Sequence, residues 1–269
     1  MIVDAHQHFW DPANAEYPWM TDDVAALRRR FGPEDLEPLL DEHGVAGTVL
    51  VQARGSLDET RMLLEISAVT PFVLGVVGWI DLTDADAARV LDDLSGKLVG
   101  VRHQVHDEPD LAWLLRSDVQ RGLSAVGAAG LVCDLLIRAR ELPAAVETAR
   151  RHPDVRFVLD HIAKPPLRSG DLTAWEVGVA ALADLPNVTC KLSGLFTEAE
   201  PGTDLFPTLE LALRWFGPER CMFGSDWPVC LLATDYASAL ELVRSAVPAR
   251  DAETVLAATA IRTYGLEVT

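Results

Sequence analysis

Residues 131–162, LVCDLLIRARELPAAVETARRHPDVRFVLDHI, decide the fold class. They begin with an apolar run, continue with a stretch whose apolar residues recur at intervals of three and four, and end with a second apolar run. This order predicts a strand, a helix and another strand. Two buried strands joined through a helix are typical of a parallel sheet that is covered by helices.

The same alternation recurs along the whole chain. Segments between the apolar runs, such as residues 33–44, 56–69 and 204–217, have helical periodicity and carry Pro, Ser or Asp at their starts. The predicted strands cover residues 2–6, 47–52, 71–80, 98–105, 131–137, 155–162, 187–194 and 220–226. Eight such units predict a (β/α)8 TIM barrel, with a doubly wound open sheet as the alternative.

The composition excludes several classes of protein. The chain has 269 residues, of which 49% are hydrophobic, and a formal net charge of −18. This length suits a single domain over residues 1–269, and the acidic excess argues against a nucleic-acid partner. With neither a secretory signal nor a long uncharged apolar run, we expect a cytoplasmic protein without a membrane partner, and we leave its oligomeric state open. The four cysteines form no C-x-x-C pair and are expected to be free thiols.

One long insertion separates the first predicted strand from its helix. It covers residues 9–32, FWDPANAEYPWMTDDVAALRRRFG, and contains Trp10, Tyr17 and Trp19. Loops of this length in compact domains are often lids or binding loops. We therefore expect these aromatic side chains to close over a ligand.

Histidine and aspartate side chains are predicted at strand ends, where barrel enzymes place their active sites. His6 and His8 lie two residues apart on the first strand, so both side chains point to the same side. Asp226 ends the eighth strand, which neighbours the first in a closed barrel. We predict that the three residues share one metal ion or hold one water molecule. The competing interpretation is structural, with the histidines closing a strand and Asp226 capping a helical turn.

Further candidates end the fourth and sixth strands. His161 is predicted to face the barrel mouth, whereas Asp160, which has the opposite parity, is predicted to point away. Arg102 and His103 also differ in parity, so we expect only one of them to face the mouth. The predicted substrate-binding residues are Arg102 or His103, Trp113 and Lys164.

The order of these motifs resembles a known family. HQH at 6–8, DH at 160–161 and GSDWP at 224–228 are similar to motifs of the amidohydrolase superfamily. More narrowly, the chain resembles the amidohydrolase 2 group of sugar lactonases, including L-fuconolactonases, L-rhamnonolactonases and the related 2-pyrone-4,6-dicarboxylate lactonase. The likeness runs from end to end, through DAHQHFWDP, YPWM, VRHQVHDEPD, DLLIRARELP, FVLDHIAKPP and FGSDWPVC. It implies a (β/α)8 barrel that hydrolyses a lactone.

The chain departs from the binuclear members of that superfamily. Those members bridge two metals with a lysine or glutamate on strand four and bind one of them with a histidine on strand five. Here strand four ends in Arg102 and His103, and strand five, LVCDLLI, contains no histidine. The resemblance thus leaves room for one divalent ion such as zinc, weakly held or dispensable, with His6, His8 and Asp226 as ligands.

We therefore expect hydrolysis of an aldonolactone of the L-fucono or L-rhamnono type to its open hydroxy acid. Asp226 is expected to activate water, while His6, His8 and His161 polarise the carbonyl with or without the metal. One alternative is a metal-dependent decarboxylase of an aromatic or unsaturated acid, against which the missing strand-five histidine counts. Another is a barrel that binds a small molecule without catalysis. The sequence contains no G-x-S-x-G elbow and no phosphate-binding loop.

Overall fold

A computed structural model describes residues 1–94 and 96–268. Its strands form one sheet in chain order, β1 to β8, and each successive pair is parallel. The strands are Val3–Gln7 (β1), Gly47–Val51 (β2), Val73–Gly78 (β3), Leu98–His103 (β4), Val132–Leu135 (β5), Arg156–Leu159 (β6), Val188–Leu192 (β7) and Cys221–Phe223 (β8). All eight predicted strands are confirmed, and most are a few residues shorter than predicted.

Helices lie between the strands, as the apolar periodicity predicts. They are Pro33–His43 (α1), Leu57–Val69 (α2), Ala87–Asp93 (α3), Ser117–Ala128 (α4), Leu142–Arg151 (α5), Thr173–Ala183 (α6), Leu195–Glu198 (α7), Phe206–Phe216 (α8), Tyr236–Ala246 (α9) and Thr259–Tyr264 (α10). The side chain of Ser56 caps the start of α2, and Gly44 ends α1 in a left-handed conformation. Among the described residues, no helix combines the length and the apolarity that crossing a membrane requires.

The barrel closes where β1 meets the chain that follows β8. The main-chain N–H of His8 donates to the carbonyl of Trp227 at 2.8 Å, and the N–H of Asp226 donates to the carbonyl of His6 at 2.9 Å. These bonds join the first and last strands, which confirms the (β/α)8 barrel rather than the open sheet. They also place Asp226 beside the two histidines of β1.

A buried carboxylate reinforces this closure. Asp4 accepts the main-chain N–H groups of His6 at 3.1 Å and Ser225 at 2.9 Å, and the hydroxyl of Tyr236 at 3.1 Å. Burial is the main cause that raises the pKa of Asp4 to about 6. One side chain thus connects β1, the chain after β8 and α9.

The barrel interior has an apolar layer below a charged layer. Val132 on β5 and Val158 on β6 belong to the apolar interior cluster, whose base is filled by residues of the C-terminal segment, including Tyr264 of α10. Asp134 and Asp160 lie two residues further along the same two strands and therefore also face inward. The charged layer thus lies at the carboxyl ends of the strands.

A register irregularity in β1 turns its histidines inward. Asp4 pairs with Thr48 and Gln7 pairs with Leu50, so three steps along β1 match two along β2. Ala5 packs in the apolar interior, and His6 nevertheless contacts the interior charges. Regular alternation would send neighbouring side chains to opposite faces, so this irregularity is what orients His6.

The insertion after β1 is docked against the barrel. Trp10 and Phe31 exchange main-chain hydrogen bonds at 3.1 and 2.9 Å, which closes the base of the loop. The indole N–H of Trp10 donates to the carbonyls of Leu27 and Arg29, and that of Trp19 donates to the carbonyl of Ala53 at 2.8 Å. These bonds hold the indoles of Trp10 and Trp19 in place, and both rings line the cavity described below, whereas Tyr17 does not.

We predict that Tyr264→Phe destabilises the fold by about 1–3 kcal/mol. The Tyr264 hydroxyl lies 2.9 Å from both carboxylate oxygens of Asp134, so the variant removes a donor from a buried carboxylate. Urea unfolding followed by circular dichroism measures the change. An unfolding free energy within 0.5 kcal/mol of the parent, roughly the size expected for a surface substitution, would contradict the assigned bond.

Candidate active site

The imidazoles of His6 and His8 meet at the mouth of the barrel. Their Nε2 atoms are 3.1 Å apart, and both side chains are buried. The Nδ1 atom of His8 lies 2.7 Å from the carbonyl of Val51 on β2. Because a carbonyl only accepts hydrogen bonds, Nδ1 of His8 carries the proton and its Nε2 is left as an acceptor or a metal ligand.

Asp226 completes this group from the chain after β8. Its Oδ1 lies 3.4 Å from Nε2 of His8, 3.7 Å from Nε2 of His6 and 3.8 Å from Nε2 of His161. The backbone of Asp226 has a φ of 58°, a left-handed conformation that is uncommon for residues other than glycine. Such strained conformations occur often at functional sites, where the surrounding structure holds them in place.

His161 reaches the site through a left-handed turn. Residues 161–164 have φ values of 53°, 52°, 57° and 47°, and the indole of Trp175 donates to the carbonyl of Ile162 at 2.6 Å. Nδ1 of His161 lies 2.8 Å from the hydroxyl of Ser193. The turn begins directly after Asp160, so both Asp160 and His161 face the interior. The prediction that Asp160 points away was wrong, because it assumed that the extended alternation continues through His161.

Two cations and two carboxylates surround His6 in the charged layer. Arg102 donates from Nη1 to Asp160 at 2.9 Å. Lys191 donates to Asp134 at 2.5 Å, and its Nζ lies 3.0 Å from Asp160. All four side chains are buried, and their formal charges cancel. Since buried charges are costly unless paired, this neutrality is what allows the layer to exist.

The electrostatics leave a charged base among neutral imidazoles. Burial alone raises the pKa of Asp226, but His161, His8 and His6 outweigh this effect and hold the pKa well below its usual range. Burial lowers the pKa of His161 to about 4 and is also the largest cause of the lowered pKa values of His6 and His8. At neutral pH the carboxylate is therefore ionised and the three imidazoles are neutral.

A cavity of about 200 Å³ opens above this group. Asp226, His8 and His161 lie in its wall. The rest of the lining is formed by Trp10, Trp19, Ala53, Arg102, Gln104, His106, Asp107, Leu136, Lys164 and Val229. The cavity therefore combines an ionised carboxylate and several hydrogen-bonding groups with two tryptophans of the docked loop.

The structure separates the predicted substrate-binding residues into two sets. Arg102 and Lys164 line the cavity. His103 and Trp113 do not: their rings stack on each other with centroids 4.1 Å apart, and His103 also contacts Glu108 at 2.7 Å. Of the two residues at the end of β4, Arg102 therefore faces the cavity and His103 does not.

Sequence reasoning missed several residues of the site. It assigned no role to Lys191, Asp134 or His106. The two-residue spacing of Arg102 and Gln104 is the signal that could have placed both on one face, whereas His106 lies in a short 3-10 turn beyond β4, where strand alternation does not apply. No comparable signal existed for Asp134, because an aspartate within an apolar run is not specific for any role.

His6, His8 and Asp226 have the geometry of a metal site. Their potential ligand atoms lie within 4.8 Å of one another, and the individual separations are 3.1, 3.4 and 3.7 Å. A tetrahedral zinc ion with bonds of about 2.0–2.2 Å separates its ligand atoms by roughly 3.3–3.6 Å. Two imidazoles and one carboxylate are also ligands that zinc prefers. These residues therefore fit one divalent ion with an open coordination position.

Comparison with known proteins gives a consistent result. The sequence model of the amidohydrolase family matches residues 3–266. The chain is 44% identical to an L-fucono-1,5-lactonase of Burkholderia ambifaria over 86% of this chain and 81% of that one. It is 39% identical to an L-fucono-1,5-lactonase of Burkholderia multivorans over 98% of this chain and 96% of that one. A crystal structure of a Burkholderia multivorans amidohydrolase with bound zinc superposes with a TM-score of 0.95 and 38% identity, covering 99% of this chain and 100% of that one.

We predict that zinc stabilises the protein and that this effect depends on His8. A ligand that binds only the folded state at 100 times its Kd adds about 2.7 kcal/mol. His8→Asn should lose most of this gain, because it removes one of the three ligands. Calorimetric titration with zinc measures the affinity. His106→Asn is the control, since His106 lines the cavity outside the cluster, and equal losses in both variants would contradict the ligand assignment.

Proposed function

The chain belongs to the amidohydrolase family, and we propose that it hydrolyses a sugar 1,5-lactone of the L-fucono type to the open hydroxy acid. It is a hydrolase that acts on the ester bond of a sugar lactone. The observation that carries the proposal is the buried carboxylate of Asp226, whose Oδ1 lies within 3.8 Å of Nε2 of three imidazoles at the base of the cavity. Sugar lactonases at 39% and 44% identity over most of the chain support it.

Asp226 is proposed to act as the general base. Its carboxylate takes a proton from a water molecule as the water oxygen attacks the lactone carbonyl carbon. The resulting tetrahedral intermediate breaks its bond to the ring oxygen, and Asp226 returns the proton to that leaving oxygen. The same carboxylate thus serves both halves of the reaction and is regenerated at its end.

The developing oxyanion needs donors that are already in place. Arg102 offers a fixed positive charge in the cavity wall, and His161 and His6 offer neutral imidazoles beside it. His8 is less suited as a donor, because its proton is held by the carbonyl of Val51. A divalent ion held by His6, His8 and Asp226 would supply Lewis-acid polarisation of the carbonyl.

The remaining cavity wall suits a sugar ring. Trp10 and Trp19 can pack against its C–H surface, because indole faces are apolar. Gln104, His106 and Lys164 can hydrogen-bond its hydroxyls or the carboxylate that forms. We therefore propose these residues, rather than His103 and Trp113, as substrate contacts.

Neither alternative activity has comparable support. A decarboxylase of the related type would need a metal-binding histidine on strand five, whereas β5 contributes Asp134, which is bonded to Lys191. A barrel that only binds ligands has no need of an ionised base beside three imidazoles. We further propose a cytoplasmic location, because the four buried cysteines are free and suit a reducing compartment.

A substrate panel tests the proposed activity. We expect rapid proton release, followed with a pH indicator, from L-fucono-1,5-lactone. L-Galactono-1,5-lactone, which adds one hydroxyl, should differ by at most about 100-fold in kcat/KM. Spontaneous lactone opening is measured without protein and subtracted. Carbon dioxide release from aromatic acids without lactone turnover would overturn the proposal.

Asp226→Asn should reduce kcat by about 100- to 10,000-fold, because the amide cannot accept the proton of water. Asp107→Asn is the matched control, since it changes a carboxylate of the same cavity that lies outside the histidine cluster. Circular dichroism checks that both variants fold. Near-parental kcat in Asp226→Asn would rule out Asp226 as the base.

A further inference from the structure

His6 has two competing partners on the side of its ring that faces away from the cavity. Nζ of Lys191, a donor, lies 3.1 Å from Nδ1 of His6. Oδ1 of Asp160, an acceptor, lies 3.4 Å from the same nitrogen. A neutral imidazole carries one ring proton, so Nδ1 can serve only one of these partners at a time.

The hydrogen bonds of the neighbouring residues determine which partner is served. His8 carries its proton on Nδ1, so its Nε2 is an acceptor 3.1 Å from Nε2 of His6. A hydrogen bond between the two rings therefore requires the proton of His6 to be on Nε2. Nδ1 of His6 is then bare and accepts from Lys191. The chain of bonds runs from Lys191 through His6 and His8 to the carbonyl of Val51, and every donor in it meets an acceptor.

Arg102 opposes this arrangement without reversing it. Its Nη1 lies 3.1 Å from Nε2 of His6, where two donors face each other if that nitrogen is protonated. In the other tautomer, with the proton on Nδ1, His6 accepts from Arg102 and donates over the longer distance to Asp160. That tautomer sets the ammonium of Lys191 against an N–H. It also leaves the Nε2 lone pairs of His6 and His8 facing each other at 3.1 Å. Each tautomer thus satisfies two of the four contacts. Protonation on Nε2 satisfies two contacts of 3.1 Å, whereas protonation on Nδ1 satisfies one of 3.1 Å and the longer one of 3.4 Å to Asp160, whose Oδ1 makes no hydrogen bond in this arrangement.

Metal binding requires that other tautomer. A histidine that binds a metal through Nε2 carries its proton on Nδ1 and donates it to a carboxylate or carbonyl. Asp160 is the acceptor in the right place, and a cation between the rings removes the repulsion of their lone pairs. Lys191 opposes the change from the Nδ1 side, because its ammonium then faces an N–H, while Arg102 lies 3.1 Å from Nε2 in both tautomers.

We propose that Lys191 weakens metal binding at this site by holding the ring proton of His6 on Nε2. The buried lysine thereby keeps the proton of His6 on the nitrogen that donates to Nε2 of His8. Loss of Lys191 would free Nδ1 of His6 to donate to Asp160, and the site would then bind a metal ion more tightly. The proposal concerns metal affinity and does not depend on the identity of the substrate.

Zinc affinity tests the proposal without any activity measurement. Lys191→Met should bind zinc about 10- to 100-fold more tightly than the parent protein in competition with a chelator, the range by which contacts to ligating side chains alter metal affinity. Lys164→Met removes a cavity lysine outside the set of groups that contact His6 and should leave the affinity within about twofold of the parent. An unchanged or weaker affinity in Lys191→Met, or an equal gain in Lys164→Met, would overturn the proposal.

Two further measurements keep the test decisive if Lys191→Met does not fold. Asp134→Asn combined with Lys191→Met preserves the neutrality of the charged layer and should show the same gain in zinc affinity. In the parent protein, nitrogen NMR of the histidine rings should place the proton of His6 on Nε2 without zinc and on Nδ1 with zinc. The resonances are assigned with His6→Asn. A proton on Nδ1 in the zinc-free protein would contradict the inference.

Discussion

The carboxylate of Asp160 connects the parts of this active site. It lies at the end of β6 and contacts Arg102 from β4, Lys191 from β7 and His6 from β1. A buried carboxylate is stable only when its oxygens are paired, so its position constrains three other strands at once. The cations that satisfy Asp160 are also the groups that contact the ring of His6. The contacts that neutralise the buried carboxylate therefore also influence which ring nitrogen of His6 carries the proton.

The sequence was sufficient for the fold and for the main cluster of polar residues at the barrel mouth. Eight apolar runs separated by helical periodicity predicted the strands, and the polar residues at their carboxyl ends predicted that His6, His8, His161 and Asp226 come together. Those predictions succeed because burial leaves a pattern along the chain and because the carboxyl ends of parallel strands meet at one end of a barrel. The roles of these four residues in catalysis remain a proposal.

Predictions that required the path of the backbone were less successful. Asp160 was misplaced because the extended alternation ends at His161, where the chain enters the left-handed turn. The inward direction of His6 depends on the irregular register of β1, which no apolar pattern encodes. The sequence could not show whether Arg102 or His103 faces the barrel interior, because alternation along a strand does not say which of its two faces is the inner one. His103 and Trp113 were assigned to the cavity by position in the chain, although they stack on each other outside its lining.

The left-handed turn at residues 161–164 has a consequence for how the position of His161 is held. A left-handed conformation costs L-residues about 1–2 kcal/mol each, so an isolated peptide of this sequence would not hold it. The turn persists because Ile162 and Ala163 are fully buried and Trp175 binds the carbonyl of Ile162. The position of His161 therefore depends on a contact made by α6 outside the cavity, so a substitution at Trp175 could displace this imidazole without touching the cavity wall.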